Sequence, residues 1–105
     1  MPIARVSVLE FDSPGAMKSA QESHKAQRSV VFPHLQMCLC IRTGPSSFVD
    51  ISVYPSEEAA EANLADRQKF HDAAFGSALK DEFYYQGEID YFFQAASFAD
   101  LGLKE

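Results

Sequence analysis

The sequence predicts an α+β domain whose strands and helices follow the order β-α-β-β-α-β. Three observations support this prediction. Apolar and polar residues alternate in short stretches, as they do in half-buried strands. Two longer stretches each begin with a serine beside a proline, which is typical of a helix start. A run of turn-forming residues separates the two middle strands.

The first strand is predicted at residues 3–11, where Val6 and Val8 alternate with polar residues. A helix is expected to follow over residues 14–28. Ser13 can cap it, and Pro14 suits its first position because no N–H is needed there. Within this helix, His24 falls on the face that also carries methionine and alanine, so we expect it to point inward.

The two middle strands are predicted at residues 32–42 and 48–54, joined by a turn over residues 43–47. The proline near the start of the first of them favours an edge position. In the second, alternation predicts that the aliphatic residues face inward and the polar residues face outward. The inward set is Val49, Ile51 and Val53, and the outward set is Asp50 and Ser52.

A second helix is predicted to begin after Pro55, with Ser56 as its cap, and to continue as one helix to His71. A short extra turn follows at residues 74–81. An aromatic-rich last strand is expected over residues 83–98, with a bulge near its only glycine and a tail at 99–105.

With right-handed crossovers, this order gives a ferredoxin-like, four-stranded antiparallel sheet with both helices on one face. Residues 1–105 are expected to form this single domain. Two helices cannot cover both faces of the sheet. We therefore expect a homodimer that pairs the open faces of two copies, as in a dimeric α/β barrel.

Composition excludes several classes of partner. The net charge is −6 and the pI is about 4.9, so nucleic acids and anionic membranes would repel the protein. The sequence contains no apolar run of about 18 residues that could span a membrane, and the protein is expected to be cytoplasmic.

Cys38 and Cys40 are not spaced as CxxC, and they are expected to be reduced packing thiols rather than metal ligands. No metal and no bound cofactor are predicted.

The chain resembles the antibiotic biosynthesis monooxygenase type of domain in the dimeric α/β-barrel superfamily. The resemblance covers nearly the whole chain in element order. Its specific part is Ser56-Glu57-Glu58-Ala59, Glu61-Ala62 and the pair Phe70-His71 that closes the helix. It implies a dimer with a pocket between helices and sheet in each subunit. It also implies oxygen insertion into electron-rich aromatic substrates without metal or flavin.

Two weaker resemblances imply other functions. Haem-degrading members of the superfamily place an iron-binding histidine near His71, but they also use a first-strand asparagine and a tryptophan that this chain lacks. The start of the chain, from Pro2, resembles the tautomerases, in which a terminal proline amine is the general base. Phe11 stands where that family usually has glycine.

His71 is the candidate base of the predicted site, because imidazole can take a proton from a phenol or hydroquinone. The candidate substrate-binding residues are Tyr54, Arg67, Tyr85 and His24. Each also has an ordinary structural role: His71 can stabilise a helix end, the tyrosines can pack, and Arg67 can be solvated. The predicted function is therefore a cofactor-independent monooxygenase, with a non-catalytic small-molecule-binding barrel or an N-terminal-proline tautomerase as alternatives.

Overall fold

The computed structural model describes residues 1–103, and the predicted order of elements is confirmed. The chain forms β1 (Ile3–Phe11), α1 (Pro14–Val31), β2 (Met37–Gly44), β3 (Ser47–Tyr54), α2 (Glu57–Ala62), α3 (Leu64–Ala74), a 3-10 turn (Gly76–Ala78) and β4 (Leu79–Glu88). Within the part of the chain that is described, no helix is both long and apolar enough to cross a membrane.

The four strands form one antiparallel sheet in the order β2-β3-β1-β4. Strands β1 and β3 lie in the centre, and the helices cover one face. On the opposite face, Val6 lies beside Ile51 of β3 and Tyr85 of β4. This is the ferredoxin-like arrangement predicted from the crossovers.

The core between helices and sheet consists of two apolar clusters separated by polar residues. The larger cluster contains Leu9, Phe11, Met17, Ala20, Phe32, Phe48, Phe70 and Phe75. The smaller contains Ile3, Tyr54 and Ala60. Between them along β1 lie Arg5 and Ser7, which are also buried under the helices. A polar gap therefore divides the core at the middle of the sheet.

The predicted facing of β3 is wrong. Phe48, Ser52 and Tyr54 are buried beneath the helices, whereas the set of Val49, Ile51 and Val53 lies on the uncovered face. Cys38 and Cys40 also lie on the helix side, since they stand beside Ser52 and Asp50 in the register. Alternation separates two faces but does not say which one the helices cover. Here they cover the mixed face and leave the aliphatic face open.

Both edge strands are shorter than predicted. Strand β2 begins at Met37 rather than at residue 32, since α1 continues to Val31 and Phe32 closes it by donating its N–H to Arg28. Strand β4 ends at Glu88, opposite Ile3 at the start of β1, so the residues beyond have no strand to pair with. The irregularity in this pairing lies at Glu10 and Phe11 of β1, not at Gly87.

The extra turn predicted at residues 74–81 is shorter, because α3 continues to Ala74 and β4 already begins at Leu79 rather than at residue 83. Only Gly76–Ala78 form a 3-10 turn, and the predicted tail forms hydrogen-bonded turns up to residue 103. Residues 104 and 105 of that tail lie outside the described residues. The single helix predicted to end at His71 is instead two helices. They meet at Asn63, which ends α2 and begins α3.

Candidate functional site

A small polar cavity lies where the core is divided, between the sheet and the helices. Its wall is formed by Arg5, Ser7, Leu9, His24, Phe32, Phe48, Asp50, Ser52, Tyr54, Arg67, His71 and Phe75. The volume open to the centre of a water molecule is about 20 Å³, which is space for about one water. Four of the five predicted site residues line this cavity. The exception is Tyr85.

His71, the predicted base, is buried in the last turn of α3. Its Nδ1 lies 2.8 Å from Oε1 of Glu82. In the neutral ring, Nδ1–H donates to that carboxylate, and Nε2 keeps a free lone pair. Burial, followed by the positive charge of Arg67, lowers the pKa of His71 to about 4. The ring is therefore neutral at pH 7, in the form that accepts a proton.

Arg67 is buried, and its predicted alternative as a solvated residue is wrong. One turn before His71, its Nη2 donates to the same Glu82 Oε1 at 2.8 Å and to the Ser7 hydroxyl at 3.2 Å. Its guanidinium also lies over the ring of Tyr84, 4.2 Å from the centroid. Glu82 thus holds both Arg67 and His71 at the cavity wall.

Arg5 is a functional candidate that the sequence prediction missed. It is 2% exposed, donates from Nη2 to the carbonyl of Ala60 at 2.6 Å and from Nε to Gln86 at 3.2 Å, and lies over the Tyr54 ring. Within residues 1–103, no carboxylate lies within ion-pair distance of it. Burial lowers the pKa of Arg5. The cavity wall therefore carries a buried cation whose bonds are to neutral acceptors, which favours an anionic guest.

Tyr54 is 1% exposed, and its ring forms one wall of the cavity. The hydroxyl donates to Oδ1 of Asn63 at 3.0 Å, and burial raises its pKa. Tyr54 therefore stays a neutral phenol, which leaves its oxygen able to accept a hydrogen bond.

Tyr85 is misplaced in the prediction. It pairs with Val6 across β1 and β4, points to the uncovered face and is 56% exposed. Its neighbour Tyr84 pairs with Ser7, and its side chain lies on the face of the sheet that the helices cover. Consecutive strand residues point to opposite faces, so a shift of one residue exchanges them. The aromatic-rich sequence contained no signal that separated the two.

His24 reaches the cavity from α1, on the face predicted for it. Its Nε2 lies 3.8 Å from Oδ2 of Asp50 on β3, and its ring packs beside Phe32 at 5.5 Å between centroids. Burial lowers the pKa of His24, while Asp50 acts in the opposite direction. The neutral ring can therefore exchange hydrogen bonds with a guest in the cavity.

Pro2, the candidate base of the tautomerase alternative, is exposed at the start of β1. Its carbonyl accepts a hydrogen bond from Ile89 at 2.9 Å. It is not among the residues that line the cavity. The cavity and the terminal proline are therefore separate features of the molecule.

Comparison with known proteins finds similarity in structure. No family model matches the chain, and no curated protein matches it. Among solved structures, it is similar to SnoaB, a cofactor-independent oxygenase from Streptomyces nogalater. The identity is 18%, the coverage is 87% of this chain and 95% of that one, and the TM-score is 0.66. The chain has the fold of the dimeric ferredoxin-like proteins.

Two further structures agree with this assignment. A provisionally assigned antibiotic biosynthesis monooxygenase from Nitrosomonas europaea has 10% identity over 86% of this chain and 91% of its own, with a TM-score of 0.70. A dimeric ferredoxin-like protein of unknown function from Thermobifida fusca has 14% identity over 85% and 92%, with a TM-score of 0.66. The predicted resemblance to the antibiotic biosynthesis monooxygenase type is thus confirmed at the level of fold.

Proposed function

We propose that the protein is a cofactor-independent monooxygenase that oxidises an electron-rich aromatic small molecule, such as a phenol or hydroquinone, with O₂. The observation that carries the proposal is that one cavity holds both a neutral imidazole, His71, and a buried guanidinium, Arg5, that has no carboxylate partner among residues 1–103. A base and a cation on the same wall are suited to forming and holding a phenolate.

In the proposed reaction, Nε2 of His71 takes the proton of the substrate hydroxyl. Arg5 stabilises the resulting anion, and the imidazolium formed is stabilised by Glu82. The electron-rich ring carbon then forms a C–O bond with O₂. Loss of water from the hydroperoxide gives a quinone, so one oxygen atom stays in the product and the other leaves as water. The substrate supplies all the electrons.

The low pKa of His71 applies when no ligand is bound in the cavity. A proton acceptor with a pKa of about 4 is weak against a phenol. A bound anion beside the ring raises the pKa of the imidazolium, because opposite charges in a low-dielectric site favour each other. We therefore expect proton transfer to accompany substrate binding rather than to precede it.

Substrate entry requires the cavity to widen. A volume of about 20 Å³ admits water, whereas a benzene-sized guest needs on the order of 150 Å³. Helices and sheet must therefore separate for the substrate to bind. The same opening would admit a ligand in the alternative function, a small-molecule-binding barrel without turnover.

We also propose that the active form is a homodimer in the cytoplasm. The uncovered face of the sheet carries aliphatic and aromatic side chains from all four strands, including Val8, Ile41 and Phe83, which are 39%, 46% and 60% exposed. Burying such a face against a second copy removes apolar area from water. The two thiols are free, as expected in a reducing compartment.

The test is oxygen uptake by the untagged protein with a panel of hydroquinones, anthrols and polyphenols. We expect saturable uptake, and we expect His71→Ala to lower kcat by about 10²- to 10⁴-fold, the usual contribution of a general base. His34→Ala is the matched control, because His34 is exposed and lies outside the cavity wall. Equal turnover by wild type and His71→Ala would contradict the proposal. Binding of a panel member without uptake would favour the non-catalytic alternative.

A further inference from the structure

Three potential metal ligands meet beneath α1, next to the cavity. His24 comes from α1, Cys38 from β2 and Asp50 from β3. One ligand atom of each lies within 4.8 Å of the other two. We propose that these side chains form a binding site for a divalent transition metal of the zinc class.

The distances fit a tetrahedral ion after small side-chain rotations. Sγ of Cys38 lies 2.8 Å from Oδ1 of Asp50, and Nε2 of His24 lies 3.8 Å from Oδ2. Bond lengths to tetrahedral zinc place nitrogen, oxygen and sulfur ligands about 3.3 to 3.6 Å apart. The present spacings lie on both sides of that range, and all three ligand atoms lie within 4.8 Å of one another.

Charge and chemistry select the kind of ion. One thiolate and one carboxylate neutralise a divalent cation, and a set with nitrogen, oxygen and sulfur favours Zn²⁺ or Co²⁺ over Mg²⁺ or Ca²⁺. In this structure the thiol of Cys38 donates its proton to Oδ1 of Asp50, so that proton lies where a cation would bind. The ion would replace that proton.

The surroundings support a site with an open position. The Ser52 hydroxyl donates to Oδ2 of Asp50 at 3.1 Å and orients the carboxylate from outside the ligand set. His24, Asp50 and Ser52 also line the water-sized cavity. Three protein ligands and a water on the cavity side would complete four-coordination.

The sequence spacing did not reveal this site. Cys38 and Cys40 form no CxxC pair, and His24 is 14 residues before the first cysteine. Only the packing of α1 over β2 and β3 brings the three ligands together. The inference does not depend on the proposed oxygenase function, since none of the three ligands is the proposed base His71 or the cation Arg5, and since it predicts metal binding rather than turnover.

The test is a titration of chelator-treated full-length protein with Co²⁺ and Zn²⁺. We expect one Co²⁺ per chain and a near-ultraviolet thiolate-to-cobalt absorption band that Zn²⁺ abolishes by competition. Cys38→Ser should eliminate the band, and Asp50→Asn and His24→Gln should each weaken binding by at least about 100-fold, more than the loss of an outer partner. Circular dichroism of each variant checks that it is folded.

Two controls separate this site from its neighbours. Cys40→Ser removes the other thiol on the same strand face, and we expect it to bind Co²⁺ like the wild type. His71→Ala removes the proposed base, and it should also retain the band. Failure of wild type to bind either metal saturably would overturn the proposal. So would a band that survives in Cys38→Ser or disappears in Cys40→Ser.

Discussion

At the scale of single residues, Glu82 organises the cavity although it is not part of its wall. Its Oε1 receives both Nη2 of Arg67 and Nδ1 of His71, each at 2.8 Å. The carboxylate selects the imidazole tautomer that leaves Nε2 free. It also offsets one of the two guanidinium charges, so the second, on Arg5, remains for a guest. The contacts of Glu82 with Arg67 and His71 thus determine which lone pair and which positive charge the proposed site offers to a ligand.

The lowered pKa of His71 predicts a specific pH dependence of stability. The folded-state pKa of about 4 lies below the ordinary value of 6.5, so between these values the unfolded chain binds more protons. The free energy of unfolding therefore falls as the pH falls from the unfolded pKa towards the folded one. From about pH 7.5 to about pH 5, His71 should account for roughly 2 kcal/mol of that loss.

Urea denaturation of wild type and His71→Gln at both pH values measures this contribution. Carboxylates that do not contact His71 titrate alike in both proteins and cancel in the difference. We expect the pH-dependent loss to be smaller in His71→Gln by roughly 2 kcal/mol, and unchanged in His34→Gln, where the ring is exposed. The same pH dependence in all three proteins would show that His71 is not held neutral by burial.

At the scale of secondary structure, the break at Asn63 fixes α3 over the sheet. Asn63 is 3% exposed, accepts a hydrogen bond from the Tyr54 hydroxyl at 3.0 Å and donates from Nδ2 to the Val31 carbonyl at 3.0 Å. It therefore joins the end of α1, the end of β3 and the junction of α2 with α3. The residues that carry Arg67 and His71 begin directly after this junction.

Asn63→Ala leaves one buried hydroxyl and one carbonyl without their partners. We expect it to lower the free energy of unfolding by about 2 to 3 kcal/mol, the cost of unsatisfied buried polar groups. Asn63→Asp retains the acceptor for Tyr54 and should show a smaller loss. Ser56→Ala removes the α2 cap, in which Ser56 Oγ accepts from the Ala59 N–H at 3.1 Å, and should cost about 1 kcal/mol. If Asn63→Ala is no more destabilising than Ser56→Ala, the junction does not hold the helices.

At the scale of the whole molecule, the two faces of the sheet are used differently. The helices cover the face that contains Arg5, Ser7 and Asp50, and this face provides the polar cavity. The aliphatic face remains uncovered in the single chain. An open sheet face of this composition is stable in water when another surface covers it. The cavity and the proposed dimer contact therefore lie back to back across one sheet.

A charge on the open face should separate the proposed dimer. Val6 lies at the centre of this face on β1, between Ile51 and Tyr85. In a monomer, the ammonium group of Val6→Lys can reach water, whereas in a face-to-face dimer it would be buried without a partner. We expect a dimer for wild type and a monomer for Val6→Lys, measured by light scattering after size exclusion.

Val30→Lys is the matched control for this prediction. Val30 is 80% exposed on α1, away from the sheet, so the same change of residue type should leave the dimer intact. A monomeric wild type, or a Val6→Lys variant that remains dimeric, would contradict face-to-face pairing of the sheets.

The sequence by itself determined the order of elements, the bounds of β1, the caps Ser13 and Ser56, and the presence of helical structure after each cap. These features depend on local alternation and on hydrogen bonds between residues close in sequence, so a short stretch of sequence is enough to predict them. It also indicated His71 and Arg67, both on the second helix, as site residues. The tertiary structure decided which face of β3 is covered, that Tyr84 rather than Tyr85 meets Arg67, and that Arg5 is buried. It also brought His24, Cys38 and Asp50 together. Those outcomes depend on strand register and on helix packing between residues far apart in the chain, which local patterns do not encode.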